Sequence, residues 1–530
     1  MKALISVSDK TGIVTLAEQL RQYGYEIIST GGTKKVLKQN GIEVTDIRQV
    51  TKNPEAFGGR MKTISFRVES ALLFDREKDR EEARRLGIEP IDLVVCNLYP
   101  FEKVLKQGAD FETLIENIDI GGPTMIRAAA KNFKYVTVVT TPSDYEALLE
   151  ELKQNNGKTS YGFRKKMMAK AFNHTADYDA LIAQTMDRHT GKLSVRLSFT
   201  EGKNLRYGEN AHQKAVFYRL AHKNGTLHDM KTLHGKPLSY NNILDISAAV
   251  ASVKELKNNA VAIVKHSNPC GLAQANNQRT ALEKAWQGDP VSAFGSIIAF
   301  NTPLKLHTVQ FFNLTHHDRS QRKFIEVIIA PKIEKDALEY LQHHKNLRVI
   351  EYNPARLPQN PDYRFVNGIL LEQQFDNLLY EKLQVVTRKP FKPDVSLVDF
   401  GIKAVKNIKS NAVAVVGRKG DTFYLKGMGA GQPNRLVATE LALSKAEAFI
   451  KNDFSGNVKD FEDFYRTEIA EAYLISDAFF PFPDNMELAA GKGIRNIVQP
   501  GGSIRDESVI ETANRLGINM IFTGTRHFKH

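Results

Sequence analysis

The sequence predicts an α/β protein of more than one domain, and three observations carry that expectation. Near-continuous apolar runs, such as Asp92-Leu93-Val94-Val95-Cys96 and Ala260-Val261-Ala262-Ile263-Val264, have the length and composition of strands buried on both faces. Between such runs lie segments with apolar residues at helical spacing, as at Ile13, Leu16, Ala17, Leu20 and Tyr23. The chain of 530 residues is also too long for one ordinary core.

Taken in order, Leu4-Ile5-Ser6-Val7 is the first expected strand and Tyr25 to Ser29 the second, each followed by a helix. Asp92 to Cys96 and Tyr135 to Thr140 continue the βαβ alternation of a parallel sheet. A polar, turn-rich stretch from His189 to Asn204 is the best candidate boundary, giving a first domain at 1–198 and a second region at 199–530. That region holds two further alternating blocks, about 199–358 and 359–530. They share a faint likeness, because Ala260 to Gly271 and Asn411 to Gly417 both place an apolar strand beside Lys and Asn.

Composition narrows the function. The chain is 42% hydrophobic and 25% charged, and no apolar run reaches the ~18 residues of a membrane span. The first apolar stretch meets charge at once, so a cytoplasmic protein without a membrane partner is expected. Cys96 and Cys270 form neither a metal spacing nor a disulfide framework, and no catalytic metal is expected. The net charge of +13 is dispersed, with Arg164-Lys165-Lys166 the only tight basic cluster. Without an aromatic-interleaved basic tract, a nucleic-acid partner is disfavoured; small phosphorylated or polyacidic metabolites fit better.

Several segments can carry chemistry. Val264-Lys265-His266-Ser267-Asn268-Pro269-Cys270-Gly271 sets an ammonium beside an imidazole after an apolar run, where Asn-Pro…Gly reads as a sharp turn. Such a pair can donate, accept and move protons. In the first domain, Ser6 to Gly12 and Thr30-Gly31-Gly32-Thr33-Lys34 each follow a strand and open a helix, as phosphate loops do. Gly58-Gly59-Arg60-Met61-Lys62-Thr63, Asn97-Leu98-Tyr99 and Asp119-Ile120-Gly121-Gly122-Pro123, with Lys131 at the end of the next helix, add proton-transfer groups. Further on, Arg206-Tyr207, the amide-rich Ser239 to Asp245 loop and the turn at Phe294 stand out, as does Gly427 to Arg435, a glycine-rich loop suited to an anion. Ser476 to Asn485 reads as a loop with an apolar wall. The basic tail Thr523 to His530 follows a strand and is expected to be tied down.

These motifs, in this order, closely resemble the bifunctional purine-biosynthesis family that joins phosphoribosylaminoimidazolecarboxamide formyltransferase to IMP cyclohydrolase. The resemblance rests on Ser-Val-Ser-Asp-Lys-Thr-Gly, Gly-Gly-Arg-x-Lys-Thr, Cys-Asn-Leu-Tyr-Pro-Phe, Asp-Ile-Gly-Gly-Pro, Leu-Arg-Tyr-Gly-Glu-Asn, Lys-His-x-Asn-Pro-Cys-Gly and Ser-Asp-Ala-Phe-Phe-Pro-Phe, and covers essentially the whole chain. It implies a methylglyoxal-synthase-like domain followed by two cytidine-deaminase-like units. It further implies 10-formyltetrahydrofolate as co-substrate, no catalytic metal, and a homodimer with the transformylase site at its interface.

By the same resemblance, Lys265, His266 and Asn411 would carry formyl transfer. Arg206 and Arg526 would grip the nucleotide phosphate. Tyr207, Asn242, Phe294, Phe479, Phe480 and Asp484 would line the base and folate pockets, joined by Glu326, Asn434 and Arg435. In the cyclohydrolase, Ser8, Lys10, Thr30, Gly32 and Thr33 would cradle the phosphate, Arg60 and Lys62 would flank the base beside Thr63, and Tyr99, Asp119 and Lys131 would move protons.

Two departures stand out. Where the family continues Leu-His-Pro…His-Gly-Gly, this chain reads Ile64-Ser65-Phe66-Arg67-Val68-Glu69-Ser70-Ala71, and Glu-Asn-Pro-His becomes Glu209-Asn210-Ala211-His212. The first leaves one alternative within enzymes, a formyltransferase whose N-terminal domain only binds nucleotide. A basic nucleotide-sensing or RNA-binding protein is the alternative from another class, and the dispersed charge disfavours it.

Overall fold

The apolar runs of the first 198 residues become a five-stranded, wholly parallel sheet in the computed structural model. All residues are described except 54–56, 58–60, 222–223, 360 and 458–459, so Arg60 with its two preceding glycines lies outside the described residues. The chain divides into two units, Met1–Ser198 and Phe199–His530.

Across the first sheet the strands run Thr45–Asp46, Glu26–Ser29, Lys2–Val7, Leu93–Asn97, Thr137–Val139. Alternate side chains go to opposite faces, as a two-residue period demands. Leu4, Ile28, Val94, Cys96 and Val138 pack in one core cluster with Val68, Leu72, Met125 and Ile126. Ala3, Ile5, Val7, Leu93, Val95 and Val139 pack in the other with Ile13, Leu16, Leu20, Leu148 and Leu152. Each fully buried Val, Leu, Ile or Met among them contributes about 1.5–3 kcal/mol of transfer free energy. Because the strands are parallel, the loops following them gather at one sheet edge, where ligands bind in folds of this kind.

The second unit is built on a twelve-stranded mixed sheet. Its two halves repeat one pattern outward from the centre. In one half the hairpin Asn268–Ala275/Asn259–Lys265 is followed by Ser296–Phe300, antiparallel to it, then Ile325–Ala330 and Arg348–Glu351 in parallel, and Lys231–His234 at the antiparallel edge. In the other half the hairpin Thr422–Gly429/Val413–Lys419 is followed by Tyr473–Ser476, Asn496–Gln499, Asn519–Phe522 and Gln384–Val385 with the same sense at each step. The halves meet where Ala273 pairs with Tyr424 and Gln274 with Phe423, antiparallel. The turn of the first hairpin therefore lies at the same sheet end as the start of Val413–Lys419.

Helices Gln278–Gly288 and Arg435–Asp453 approach these hairpins closely. A Cβ on Gly271 would fall 1.9 Å from the Ala285 carbonyl oxygen, and one on Gly427 or Gly429 would meet the Ala442 and Ala438 carbonyls at 2.3 and 1.9 Å. This corrects the reading of Gly427 to Arg435 as a glycine-rich anion loop: Gly427 and Gly429 lie in the strand and are small because a helix backbone sits on them. Among the described residues, no helix is long and apolar enough to cross a membrane.

Candidate functional site

In the first unit the strand-end loops do converge. Asn97, at the end of its strand, accepts from the Ser8 and Asp9 N–H groups at 2.6 and 2.9 Å and donates to the Asp9 carbonyl at 2.9 Å. This amide, which had no role of its own among the motifs, fixes the first loop. Lys10 Nζ donates to the Ser8 carbonyl at 3.2 Å and stands 3.8 Å from where a Gly32 Cβ would be. Ser8, Lys10, Thr30 and Gly32 thus share one corner at the start of helix Gly31–Gln39. Thr33 does not present its hydroxyl there. It is buried and bonded to both the N–H and the carbonyl of Val7, so it ties helix to strand. Lys62 lines a cavity of about 60 Å³ with Thr30, Gly31, Lys34, Asp46 and Arg48.

Thr63 is buried where a Cβ on Gly121 would meet its Oγ1 at 2.7 Å, so it too packs rather than faces a ligand. The altered segment forms helix Phe66–Leu73, capped by Ser65 accepting from the Val68 N–H at 3.1 Å. Val68, Ala71 and Leu72 enter the core while Phe66 stays 66% exposed.

Asp119 is held in place by the backbone at this edge. Its carboxylate accepts from the N–H groups of Gly122 at 2.8 Å and Tyr99 at 3.3 Å. Its own N–H donates to the Tyr178 hydroxyl at 2.9 Å, a partner from the long helix Tyr161–His189 that no local motif announced. Burial raises the Asp119 carboxyl above the ordinary carboxylate value, opposed by those two backbone donors. Burial, then the Asp119 charge, raises the Tyr99 phenol. Lys131 is not brought to them within the chain. It is exposed at the far end of helix Gly121–Lys131, about 15 Å along the axis from the Asp119 end.

In the second unit Lys265 and His266 sit on a two-residue hairpin turn. Lys265 pairs with Asn268, so the turn residues are His266 and Ser267, not the Asn-Pro that the sequence suggested. Both have positive φ, 51° and 61°, the left-handed pair that a tight hairpin requires and glycine or asparagine usually supplies. Lys265 Nζ donates to the Phe294 carbonyl at 2.6 Å. Phe294 is 60% exposed with its ring against Phe324, so it is available to a ligand rather than spent in the core. Arg206 lies over the Tyr207 ring at 5.4 Å, and the Tyr207 carbonyl accepts from the Tyr240 N–H. Asn242 turns out to be a helix cap: it is buried and exchanges hydrogen bonds with Ser239. Glu326 is paired with Arg348 at 2.7 Å.

A second group lines a cavity of about 570 Å³. It includes Asn411, Asn434, Phe479, Asp484 and Arg526, with Phe482 and Phe528 that the sequence reading did not single out. Arg435 borders it, but its guanidinium is committed elsewhere. It is buried, ion-paired with the fully buried Asp477, and donates to Ser476 Oγ at 2.8 Å and to Asn411 Oδ1 at 2.7 Å. Arg435 is thus a brace for Asn411. Phe480 is fully buried in the core and does not line the cavity, correcting its assignment beside Phe479. The tail is tied down: His527 N–H donates to the Asp477 carbonyl, and Lys529 and Ser410 exchange hydrogen bonds. No cluster of three or more His, Cys, Asp or Glu among the described residues is placed to hold a metal ion.

Fold and candidate residues together describe a two-unit α/β protein, with strand-end loops converging at the edge of a parallel sheet in one unit and a Lys-His hairpin turn in the other. Residues 12–124 match the MGS-like domain and residues 129–445 the AICARFT/IMPCHase bienzyme. The bifunctional purine biosynthesis protein PurH of Persephonella marina is 44% identical over 541 residues, spanning 100% of this chain and 99% of that protein. PurH of Acetivibrio thermocellus is 44% identical over 543 residues with the same coverage. A solved chain described as the crystal structure of ForH is 36% identical over 35% of this chain and 95% of its own length, with a TM-score of 0.32. The chain belongs to the AICARFT/IMPCHase bienzyme family. Its two activities are formyl transfer to aminoimidazole carboxamide ribonucleotide and closure of the product to IMP, the last two steps of IMP synthesis.

Proposed function

We propose that formyl transfer takes place at the Lys265-His266 turn and ring closure at the strand-end loops of the first unit. The observation that carries this is the position of the turn. It lies beside the Asn411 segment of the other half-sheet, linked through Asn268, whose side-chain oxygen accepts from the Lys409 N–H at 2.9 Å. The formyl donor is 10-formyltetrahydrofolate. The substrate amine attacks the formyl carbon, a bond from that carbon to the folate nitrogen breaks, His266 takes the amine proton, and Lys265 protonates the departing nitrogen or stabilises the oxyanion. Asn411, held by Arg435, orients the formyl oxygen. Proton and charge handling of this kind contributes roughly 10²–10⁴-fold when the groups are fixed.

Arg206, Tyr207 and Phe294 serve the first wall and Arg526, Phe479, Asn434 and Asp484 the second, with Glu326 positioned by Arg348. In the cyclohydrolase, Ser8, Lys10, Thr30 and Gly32 hold the phosphate, Lys62 flanks the base beside Arg60, and Tyr99 and Asp119 move protons. Residues 1–198 form the cyclohydrolase domain, and about 199–358 and 359–530 are two cytidine-deaminase-like units, a reading supported by the repeated strand order. A homodimer is supported by the ribbon Asp362–Val366/Ile369–Gln373, which exposes Phe365, Ile369 and Leu371. The buried free thiols Cys96 and Cys270 accord with a cytoplasmic protein.

The test is a two-substrate assay. Lys265→Ala and His266→Ala should lose formyl transfer and keep cyclisation, and Lys62→Ala should do the reverse. Equal loss of both activities in all three variants would remove the case for separate sites.

A further inference from the structure

The turn that carries His266 is an awkward piece of backbone. Two consecutive non-glycine residues hold positive φ, a conformation that is unfavourable for side chains with a Cβ and persists only when its surroundings over-determine it. Two side chains from outside the turn do so. The Asp245 carboxylate, on helix Tyr240–Lys254, accepts from the Ser267 N–H at 2.6 Å. The Asn268 amide donates to the His266 carbonyl at 3.0 Å. The turn's inner N–H and its preceding carbonyl are therefore both captured by side chains.

Each brace reaches a different part of the site. Asp245 stands one helical turn beyond Asn242, whose capping exchange with Ser239 fixes the helix start. The neighbouring Tyr240 N–H donates to the Tyr207 carbonyl, so that helix start also holds the Arg206-Tyr207 segment. Asn268 has its second contact, at its oxygen, with the Lys409 N–H, two residues before Asn411. One amide thus spans from the backbone of His266 to the strand lead that delivers Asn411. Asp245 is largely withdrawn from water, and burial raises its carboxyl while the Ser267 N–H lowers it. A carboxylate kept there at a desolvation cost, with the turn as its hydrogen-bonding partner, is spent on geometry.

We propose that Asp245 and Asn268 are positioning residues for formyl transfer, a two-point brace that fixes the His266 imidazole relative to Arg206-Tyr207 on one side and Asn411 on the other. This rests on the assignment of His266 to formyl transfer. Neither residue need touch a substrate. A displacement of about 1 Å in the imidazole is enough to cost on the order of 100-fold in rate, so the brace should appear in kcat and not in affinity.

The experiment uses the full chain, with thermal unfolding of the second unit as the control for folding and cyclisation by the first as the control for enzyme concentration. Asp245→Ala and Asn268→Ala should each lower kcat for formyl transfer by about 10- to 100-fold, with KM for the nucleotide and the formyl folate little changed and cyclisation intact. Asp245→Asn keeps an oxygen that can accept the Ser267 N–H, and should recover most of the rate lost in Asp245→Ala. Three results overturn the proposal. The first is unchanged kcat in both alanine variants while His266→Ala is inactive. The second is a loss carried by KM, or matched by loss of thermal stability of the second unit, with no recovery in Asp245→Asn. The third is full formyl transfer by His266→Ala, which removes the turn's assignment and the brace with it.

Discussion

The two halves of the twelve-stranded sheet carry one polar skeleton at opposite ends, written in different charge. In the second half, Asn411 Nδ2 donates to the Gln432 and Pro433 carbonyls at 2.8 and 3.1 Å, and Asp477 accepts from the Ala412 N–H at 3.1 Å. In the first half, Asn259 Nδ2 donates to the Ala275 and Asn276 carbonyls at 3.3 and 2.8 Å, and Asn301 accepts from the Ala260 N–H at 2.7 Å. Each group precedes an asparagine-capped helix, at Asn434 and Asn277. The helix then opens with Arg435 in one case and with the buried Gln278 in the other, which donates to Thr302 Oγ1 at 2.9 Å. One end has an ion pair and faces a hairpin turn bearing Lys and His. The other is neutral and faces Lys419-Gly420-Asp421, a turn without an imidazole. The frame is repeated, and substitution at a few positions gives one copy a buried ion pair and leaves the other neutral.

That contrast can be broken experimentally. Asp477→Ala leaves Arg435 charged, buried and unpaired, and should destabilise the second unit by about 3–5 kcal/mol and abolish formyl transfer; chemical denaturation and the transfer assay check both. Asn301→Ala removes the matching neutral acceptor and should cost about 1–3 kcal/mol. Equal losses at the two positions would erase the distinction of charge. Asp421→Ala, on the exposed turn at the neutral end, should change stability by no more than about 0.5 kcal/mol and leave formyl transfer intact. A marked loss of transfer there would show that both ends work.

A pH-dependent effect belongs to the first unit. Burial makes Asp119 hold its proton more tightly in the folded chain than in the unfolded one. Its ionisation therefore opposes folding, and stability should fall as pH rises from the ordinary carboxylate range through the raised value. Asp119→Asn should flatten that segment of a melting-temperature profile and lower the cyclisation rate at every pH, whereas the acid limb of the wild-type rate should lie at the raised value. A wild-type limb at the ordinary carboxylate value would show the shift to be absent.

Much of this was readable from the chain, and the remainder has specific causes. The parallel sheet was legible because its strands are apolar on both faces and end in glycine- and hydroxyl-bearing turns. The hairpin was misplaced by two residues, since His266 and Ser267 are not the types that announce a left-handed turn, whereas Asn268-Pro269 imitates one. Phe479 and Phe480 are adjacent in an irregular segment, where no period says which faces the cavity. An arginine opening a helix reads the same whether it faces a ligand or a buried acid, and Asp477 lies 42 positions further on. Tyr178 supports Asp119 from 59 positions away and carries no local signal. Asp245 was more accessible to reasoning, being an acid one turn inside a helix whose Ser239 and Asn242 already advertised a cap.

The close seating of helix Arg435–Asp453 on Gly427 and Gly429 has a consequence for where functional defects should be sought. The height of Asn434 and Arg435 above the sheet is set by the absence of two methyl groups. An added carbon at either glycine would lift the helix off its strand and carry the arginine away from Asp477 and Asn411. A catalogue of important residues built from the groups that are present would pass over both positions. In this protein, two missing methyl groups near the end of a strand decide where a helix can stand.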